Sequence, residues 1–264
     1  MVEFLAHSAN VNGQRQLLSE HLLAVANLAR DFAACLRASQ LGYYAGLWHD
    51  LGKFHPEFQA YLLDEERLRG PNHSSAGALL AKKYFEPLAF LIAGHHSGLP
   101  SREELISRLK DKIQQERYKT VLQNARRIMP SIEQAQILEK YIPSFLKNNE
   151  KNTASYIELF LRLLFSCLVD ADFLDTERHF QPQMTELRQK ETSIDALWHL
   201  LAVDQEKIMV SSYGPVNQIR REIYEYCCRS AELTPGFFSL TVPTGGGKTR
   251  SGMAFALLHA LHYQ

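Results

Sequence analysis

The chain has no surplus of either charge: its 264 residues include 29 Lys and Arg against 29 Asp and Glu. That rules out a global electrostatic field as the means of holding a nucleic acid, so any such binding has to rest on local patches. Cysteine is scarce. Cys35, Cys167, Cys227 and Cys228 form no CxxC pair, and the one close pair is adjacent in sequence. This spacing suits neither a thiolate zinc site nor a disulfide framework and fits a reducing cytoplasm. Long apolar runs are missing too. The most apolar stretch, residues 157–169, is interrupted by Arg162 and falls short of the ~20 residues a membrane span requires. Residues 1–14 hold an acid at Glu3 and no apolar core for a signal peptide. The expectation is a cytoplasmic protein with no membrane partner. Internal repeats and alternating β-branched runs are also lacking, which argues against repeat and all-β architectures.

What is present is enough apolar material, 45% of residues, to bury a substantial core. From Leu17 to about Leu201 the apolar residues recur mostly at intervals of three and four, the signature of helices packed by one face. Helices are predicted near 17–38, 40–51, 74–85, 87–95, 101–127, 131–140, 153–174 and 184–200, broken at Gly42, Gly52, Gly70-Pro71 and Gly98-Pro100. The fold class is therefore all-α over residues 1–205. Around Ser211–Pro215 the character changes, and 206–264 reads as a linker and a new domain. A helix near 216–230 is followed by a short apolar strand, 237–242, a glycine-rich loop, 243–248, and a helix from Thr249 onward. Strand, loop, helix is the opening of a parallel α/β domain.

Eleven histidines are present, and their placement carries the chemistry. His49 and Asp50 are adjacent at the end of an apolar helix, so both reach one metal only if it lies over the edge they share. His21 falls on the face of Val25, Leu28 and Phe32, where an unpartnered imidazole would be costly. His73 opens a helix, and His95-His96 ends another. A further acid comes from the apolar helix that ends in Asp170 and Asp172. Asp172 shares the face of Leu161, Phe165 and Leu168, so it needs a cation more urgently than Asp170, which lies beside Ser166 and Leu163. The order His21, His49-Asp50, His73, His95-His96, Asp172 resembles the HD superfamily of metal-dependent phosphohydrolases. Three strings resemble its CRISPR-associated nuclease-helicases of type I systems: HDLGKFHPEFQ at 49–59, GHHSGLP at 94–100 and LVDADFLDTE at 168–177. His7, His55, His179, His199, His259 and His262 fall outside the pattern and read as surface or packing residues, with His7 and His55 the least certain of these.

The resemblance implies one metal held by His21, His49, Asp50 and Asp172 and a second by Asp50, His73, His95 and His96, with Asp50 bridging. Two ions ~3.5–4 Å apart steady both the attacking and the leaving oxygen of a phosphodiester displacement. Lys53 is carried over as a phosphate-binding cation; on its own it reads equally as a solvated helix-end lysine. A histidine-rich set suits iron, manganese, cobalt or nickel better than magnesium. The implied activity is cleavage of single-stranded DNA in CRISPR interference by a monomer recruited by the surveillance complex. The alternative is a nucleotide or cyclic-dinucleotide phosphohydrolase, although Ser97-Gly98-Leu99-Pro100 after the histidine pair differs from the GYP signature of the cyclic-dinucleotide enzymes.

Two further features bear on partners. Residues 101–127 hold eight basic side chains, from Arg102 to Arg127, against four acids. They read either as a guide for a phosphate backbone or as an ordinary solvated helix. The string PTGGGKT at 243–249 resembles the phosphate loop of superfamily 2 helicases. Gly245, Gly246 and Gly247 turn amides toward phosphate, Lys248 reaches the β and γ phosphates, and Thr249 holds magnesium. It departs from GxxxxGK[ST] because Val242 occupies the first glycine position. No acidic magnesium motif follows before Gln264, so the RecA-like domain is expected to be incomplete, with ATP and magnesium belonging to the full-length helicase.

Overall fold

The computed structural model describes residues 3–64, 70–134, 138–147, 153–188, 192–211 and 213–263. The chain forms two compact units, Met1–Leu187 and Arg188–Gln264. Among the described residues there is no strand, and the one β-bridge pairs Leu5 with Leu17. No described helix is long and apolar enough to cross a membrane.

The first unit is helical. Helix α1, Leu18–Phe32, buries Leu18, Leu22, Val25, Ala26 and Ala29, one stripe at helical spacing that also carries His21 inward. Helix α2, Ser39–Trp48, lies against it along a seam of small residues. A Cβ on Gly46 would sit 2.7 Å from the Ala26 Cα, so only glycine permits this approach. A turn of 3-10 helix, Leu51–Phe54, leads into α3, Pro56–Leu63. Next come α4, Ser74–Tyr84, and α5, Glu86–Gly94, whose Leu88, Leu91 and Ile92 are fully buried. Each such side chain contributes about 1.5–3 kcal/mol. Trp48 is the largest buried side chain; its indole N–H donates to the Ile132 carbonyl at 2.8 Å and its ring stacks on Tyr84.

Helices α6, Arg102–Lys110, and α7, Lys112–Ile128, follow, then the short α8, Ser144–Lys147. Helix α9, Thr153–Phe180, buries Phe160, Leu164, Leu168, Ala171 and Asp175, again one stripe, and α10 spans Pro182–Arg188.

Several predicted helices are divided or shortened. Residues 101–127 form two helices because the Asp111 carboxylate accepts the Ile113 N–H and caps a new start. α1 stops at Phe32, and Arg37 takes a left-handed φ of 55° before α2 begins. The helix predicted at 131–140 is instead a turn and a 3-10 segment, Leu138–Tyr141, with 135–137 outside the described residues. The prediction at 184–200 becomes the end of α10 and the start of α11, Ile194–Ser211, with 189–191 outside the described residues. The sequence did not point to α3, which starts from Pro56 with the His55 side chain accepting the Glu57 N–H.

The second unit holds α11, α12 (Pro215–Ser230) and α13 (Lys248–His262). The expected limit at 205/206 falls within α11, which packs on α13. Residues 237–242 form no strand. A strand is completed by ladder hydrogen bonds to a neighbour, and no described segment supplies one; Phe237 is fully exposed and Phe238 and Leu240 are exposed.

Helix α4 meets the end of α2 at Gly77, where a Cβ would stand 1.8 Å from the Trp48 carbonyl oxygen. Gly77→Ala is expected to force the two helices apart at a cost of about 3 kcal/mol, read as a lower denaturant midpoint of the metal-free protein. An unchanged midpoint would contradict this packing.

Candidate metal centre

Five segments deliver the predicted ligands to one place in the first unit. His21 comes from the buried face of α1. His49 and Asp50 follow α2, where Asp50 leaves helical geometry with φ −106° and ψ 20°. His73 precedes α4, held by the Gly52 N–H donating to its carbonyl at 3.0 Å. His95 and His96 follow α5, and Asp172 projects from α9. The side chains form two groups, Asp50 with His73, His95 and His96, and His21 with His49, Asp50 and Asp172; within each, the donor atoms lie within 4.8 Å of one another.

Asp50 belongs to both groups and divides its oxygens between them. Oδ2 lies 3.5 Å from His21 Nε2 and 3.4 Å from His49 Nε2; Oδ1 lies 3.5 Å from His73 Nε2 and 3.3 Å from His95 Nε2. Asp172 Oδ1 stands 3.5 Å from both His21 and His49 Nε2. Asp170 is exposed on the other side of α9. Asp172 thus lies on the side of α9 turned toward His21 and His49, and Asp170 does not.

The histidine tautomers follow from what lies behind each ring. Nδ1 of His49 donates to the Gly46 carbonyl at 2.7 Å, that of His95 to the Ile92 carbonyl at 2.7 Å, that of His73 to the Pro71 carbonyl at 3.3 Å, and that of His21 to the Asp175 carboxylate at 2.8 Å. These oxygens can only accept, so each neutral ring keeps its hydrogen on Nδ1 and turns a bare Nε2 inward. The four Nε2 atoms and Asp50 Oδ1 are buried without a hydrogen-bond partner. Buried polar atoms rarely stay unpaired, and a convergent set of imidazole nitrogens and carboxylate oxygens is the donor set of a divalent transition metal. The residues fit such ions.

Lys53 is buried rather than solvated. Its ammonium is 2.6 Å from Asp50 Oδ2, donates to the Ala6 carbonyl at 2.9 Å and lies over the Phe58 ring. A cavity of about 370 Å³ opens above Asp50 and is lined by Lys53, His73, His96, Asp172, His7 and Thr176, among others.

Electrostatics in the metal-free protein are set by burial against close charge. Burial opposes ionisation of Asp50, but the charges of Lys53 and His49 hold its carboxyl well below the usual range. Burial likewise opposes a proton on His49, yet Asp50 and Asp172 push its pKa up to about 10. Asp172 is lowered by His49 despite its burial. Burial takes His73 down to about 4, and burial followed by Lys53 takes His7 down to about 3.

The sequence reading passed over Asp175 and Gln16, which stand behind His21, and set aside His7, whose ring packs on His21. The signal for Asp175 was its position three residues after Asp172, on the same helix face. His55 is not in the centre; it caps α3 and faces Glu57. In the basic stretch, Arg108 donates to the Ala93 carbonyl, Arg117 pairs with Glu57 and Arg126 with Glu133, while Arg102, Lys110, Lys112, Lys119 and Arg127 are exposed.

In the second unit the glycine-rich loop turns at Gly245 and Gly247, with φ of 83° and 86°, and α13 starts at Lys248. The loop lines a cavity of about 480 Å³ together with Arg220, whose Nε–H donates to the Gly245 carbonyl at 2.8 Å. Gly245, Gly247, Lys248 and Thr249 line it; Gly246 sits in the turn, its N–H donating to the Pro243 carbonyl.

Residues 18–139 match the family model described as HD domain. This stretch contains His21, His49, Asp50, His73, His95 and His96 and ends before Asp172. The match supports an HD-domain phosphohydrolase dependent on divalent metal. No curated protein matches the chain.

Two outcomes are expected. A metal at His21 and His49 has to displace the proton that His49 keeps below about pH 10, whereas Asp50, Asp172 and His73 are already bare at neutral pH. Binding there therefore releases the His49 proton at pH 7, which by itself raises affinity about tenfold per pH unit; calorimetry in buffers of different ionisation enthalpy reads both, and proton-neutral binding would contradict the His49 assignment. Asp172→Asn should lose one metal per chain by elemental analysis while Asp170→Asn keeps both; the reverse ranking would mean that α9 is rotated.

Proposed function

We propose that the first unit, residues 1–187, forms a two-metal nuclease that hydrolyses phosphodiester bonds of single-stranded DNA. The observation that carries the hydrolytic part is Asp50: one carboxylate with each oxygen facing a separate pair of inward-turned imidazole nitrogens. His21, His49, Asp50 and Asp172 would hold one ion and Asp50, His73, His95 and His96 the other. Five histidines among seven donors favour manganese, iron, cobalt or nickel over magnesium. When bound, the ions supply Lewis acidity toward a phosphodiester and a water molecule.

The chain's own residues supply the rest. The Nδ1 hydrogen bonds of the four histidines hold the rings aimed inward before any ion arrives, so little reorganisation is left for binding. Lys53 neutralises part of Asp50 and lines the cavity above it, which places a positive group beside an incoming phosphate. Arg102, Lys110, Lys112, Lys119 and Arg127, exposed on α6 and α7, extend positive charge along the chain after His95-His96 and suit a nucleic-acid backbone.

The biological setting rests on the three sequence strings. They support a role in CRISPR interference, with recruitment by a type I surveillance complex and a helicase domain that opens within 206–264. In that domain Gly245, Gly246, Gly247, Lys248 and Thr249 would hold the phosphates of ATP with magnesium.

The decisive assay incubates the protein, reconstituted with manganese, cobalt, nickel or iron, with circular single-stranded DNA, duplex DNA and cyclic dinucleotides. Cleavage of the single-stranded circle is expected, and Asp50→Ala should abolish both cleavage and metal content because each ion loses a ligand. Hydrolysis of cyclic dinucleotides without DNA cleavage would replace this reading by the small-molecule phosphohydrolase. Normal metal content in Asp50→Ala would sink the bridging role.

A further inference from the structure

The four inward-facing histidines are braced unequally. His49, His95 and His73 lean on neutral main-chain carbonyls. His21 alone leans on a charge: its Nδ1 donates at 2.8 Å to Oδ2 of Asp175, a carboxylate 1% exposed. The same oxygen accepts the Gln16 side-chain amide at 2.7 Å, and Arg178 stands 3.6 Å from Oδ1. His21, Gln16 and Arg178 thus converge on one buried carboxyl group. Asp175 belongs to neither donor group.

A carboxylate behind an imidazole fixes the hydrogen on Nδ1 more firmly than a carbonyl does, and its charge makes the opposite nitrogen a stronger donor. His21 and its brace are buried from water, which therefore screens their interaction little, whereas His73 and His95 of the other group have main-chain carbonyls behind them.

We infer that Asp175 is a positioning residue that acts through His21 and strengthens metal binding at the His21, His49, Asp50 and Asp172 group but not at the Asp50, His73, His95 and His96 group. The inference rests on the two-metal reading above. A competing account is that Asp175 only ties α9 to the chain before α1 through Gln16, in which case metal affinity would not depend on it.

Titration of the metal-free protein with Co²⁺, followed by visible absorption and calorimetry, separates these accounts. The wild-type chain should bind in two steps of one ion each, and the step that Asp172→Asn removes belongs to the His21 group. Asp175→Asn keeps the size and removes the charge; it should weaken that step by about 10–100-fold and leave the other in place. Asp175→Glu should recover part of the loss, and Gln16→Leu, which keeps the carboxylate–imidazole pair and loses one hydrogen bond to it, should weaken that step less than Asp175→Asn does. Denaturant unfolding of each metal-free variant tracks the fold. Equal weakening of both steps, an unchanged His21-group step in Asp175→Asn, or an equal loss in Gln16→Leu would overturn the inference. Should Asp175→Asn fail to fold, Asp175→Glu decides: weakening of the His21-group step alone supports the role, and weakening of both overturns it. A wild-type chain that takes up no Co²⁺ at all would bring down the two-metal reading itself, an outcome distinct from any of these.

Discussion

A carboxylate taken into the interior of a protein demands positive charge, and the first unit is organised around meeting that demand for Asp50. Its two oxygens face four imidazole nitrogens, Lys53 pairs with it, and a proton on His49 completes the balance in the metal-free state. Removal of Lys53 or of the His49 proton would leave buried charge uncompensated. The same demand is one that a divalent ion would meet, taking the place of the proton that Asp50 and Asp172 hold on His49 against its burial.

The way the helices pack follows from having to bring donors from five segments to one point. All but His21 and Asp172 sit just beyond or before a helix, where the backbone can turn a side chain toward the centre without opening a void in the core. His21 and Asp172 come from helix faces that are otherwise apolar, and they meet because α1 and α9 lie against each other. The seam at Gly46 draws α1 and α2 close, and the hydrogen bond from Gly52 to the His73 carbonyl fixes the loop that brings His73 in. Core packing and site geometry are thus one problem, because a shift of a helix separates donors that could together hold an ion.

The second unit has a different character. Its helices bury few side chains, among them Tyr224, Cys227, Ser251 and Ala254, and many of its apolar residues are exposed. The glycine-rich loop nevertheless turns through left-handed conformations at Gly245 and Gly247 directly into α13, a local geometry set by residues that carry no Cβ. Loop shape is therefore locally encoded, whereas the strand that precedes it in the sequence pattern needs partners that no described segment provides.

The sequence by itself determined the helical class of the first unit, the order of the candidate ligands and the helix face on which Asp172 lies. All three depend on local periodicity or on residues adjacent in the chain, and a helix face is legible from spacing alone. Only the tertiary structure decided that the two oxygens of Asp50 face different histidine pairs, that Lys53 is buried against Ala6, and that Asp175 and Gln16 stand behind His21. These are pairings between residues up to 159 positions apart. Periodicity tells which way a side chain points from its own helix; what it meets there depends on how that helix packs against the others. The same reason explains the breaks at Asp111 and Arg37, where a side-chain cap and a left-handed residue outweighed continuous helical spacing, and the absence of a strand at 237–242, where an apolar run found no neighbour to complete its hydrogen bonds.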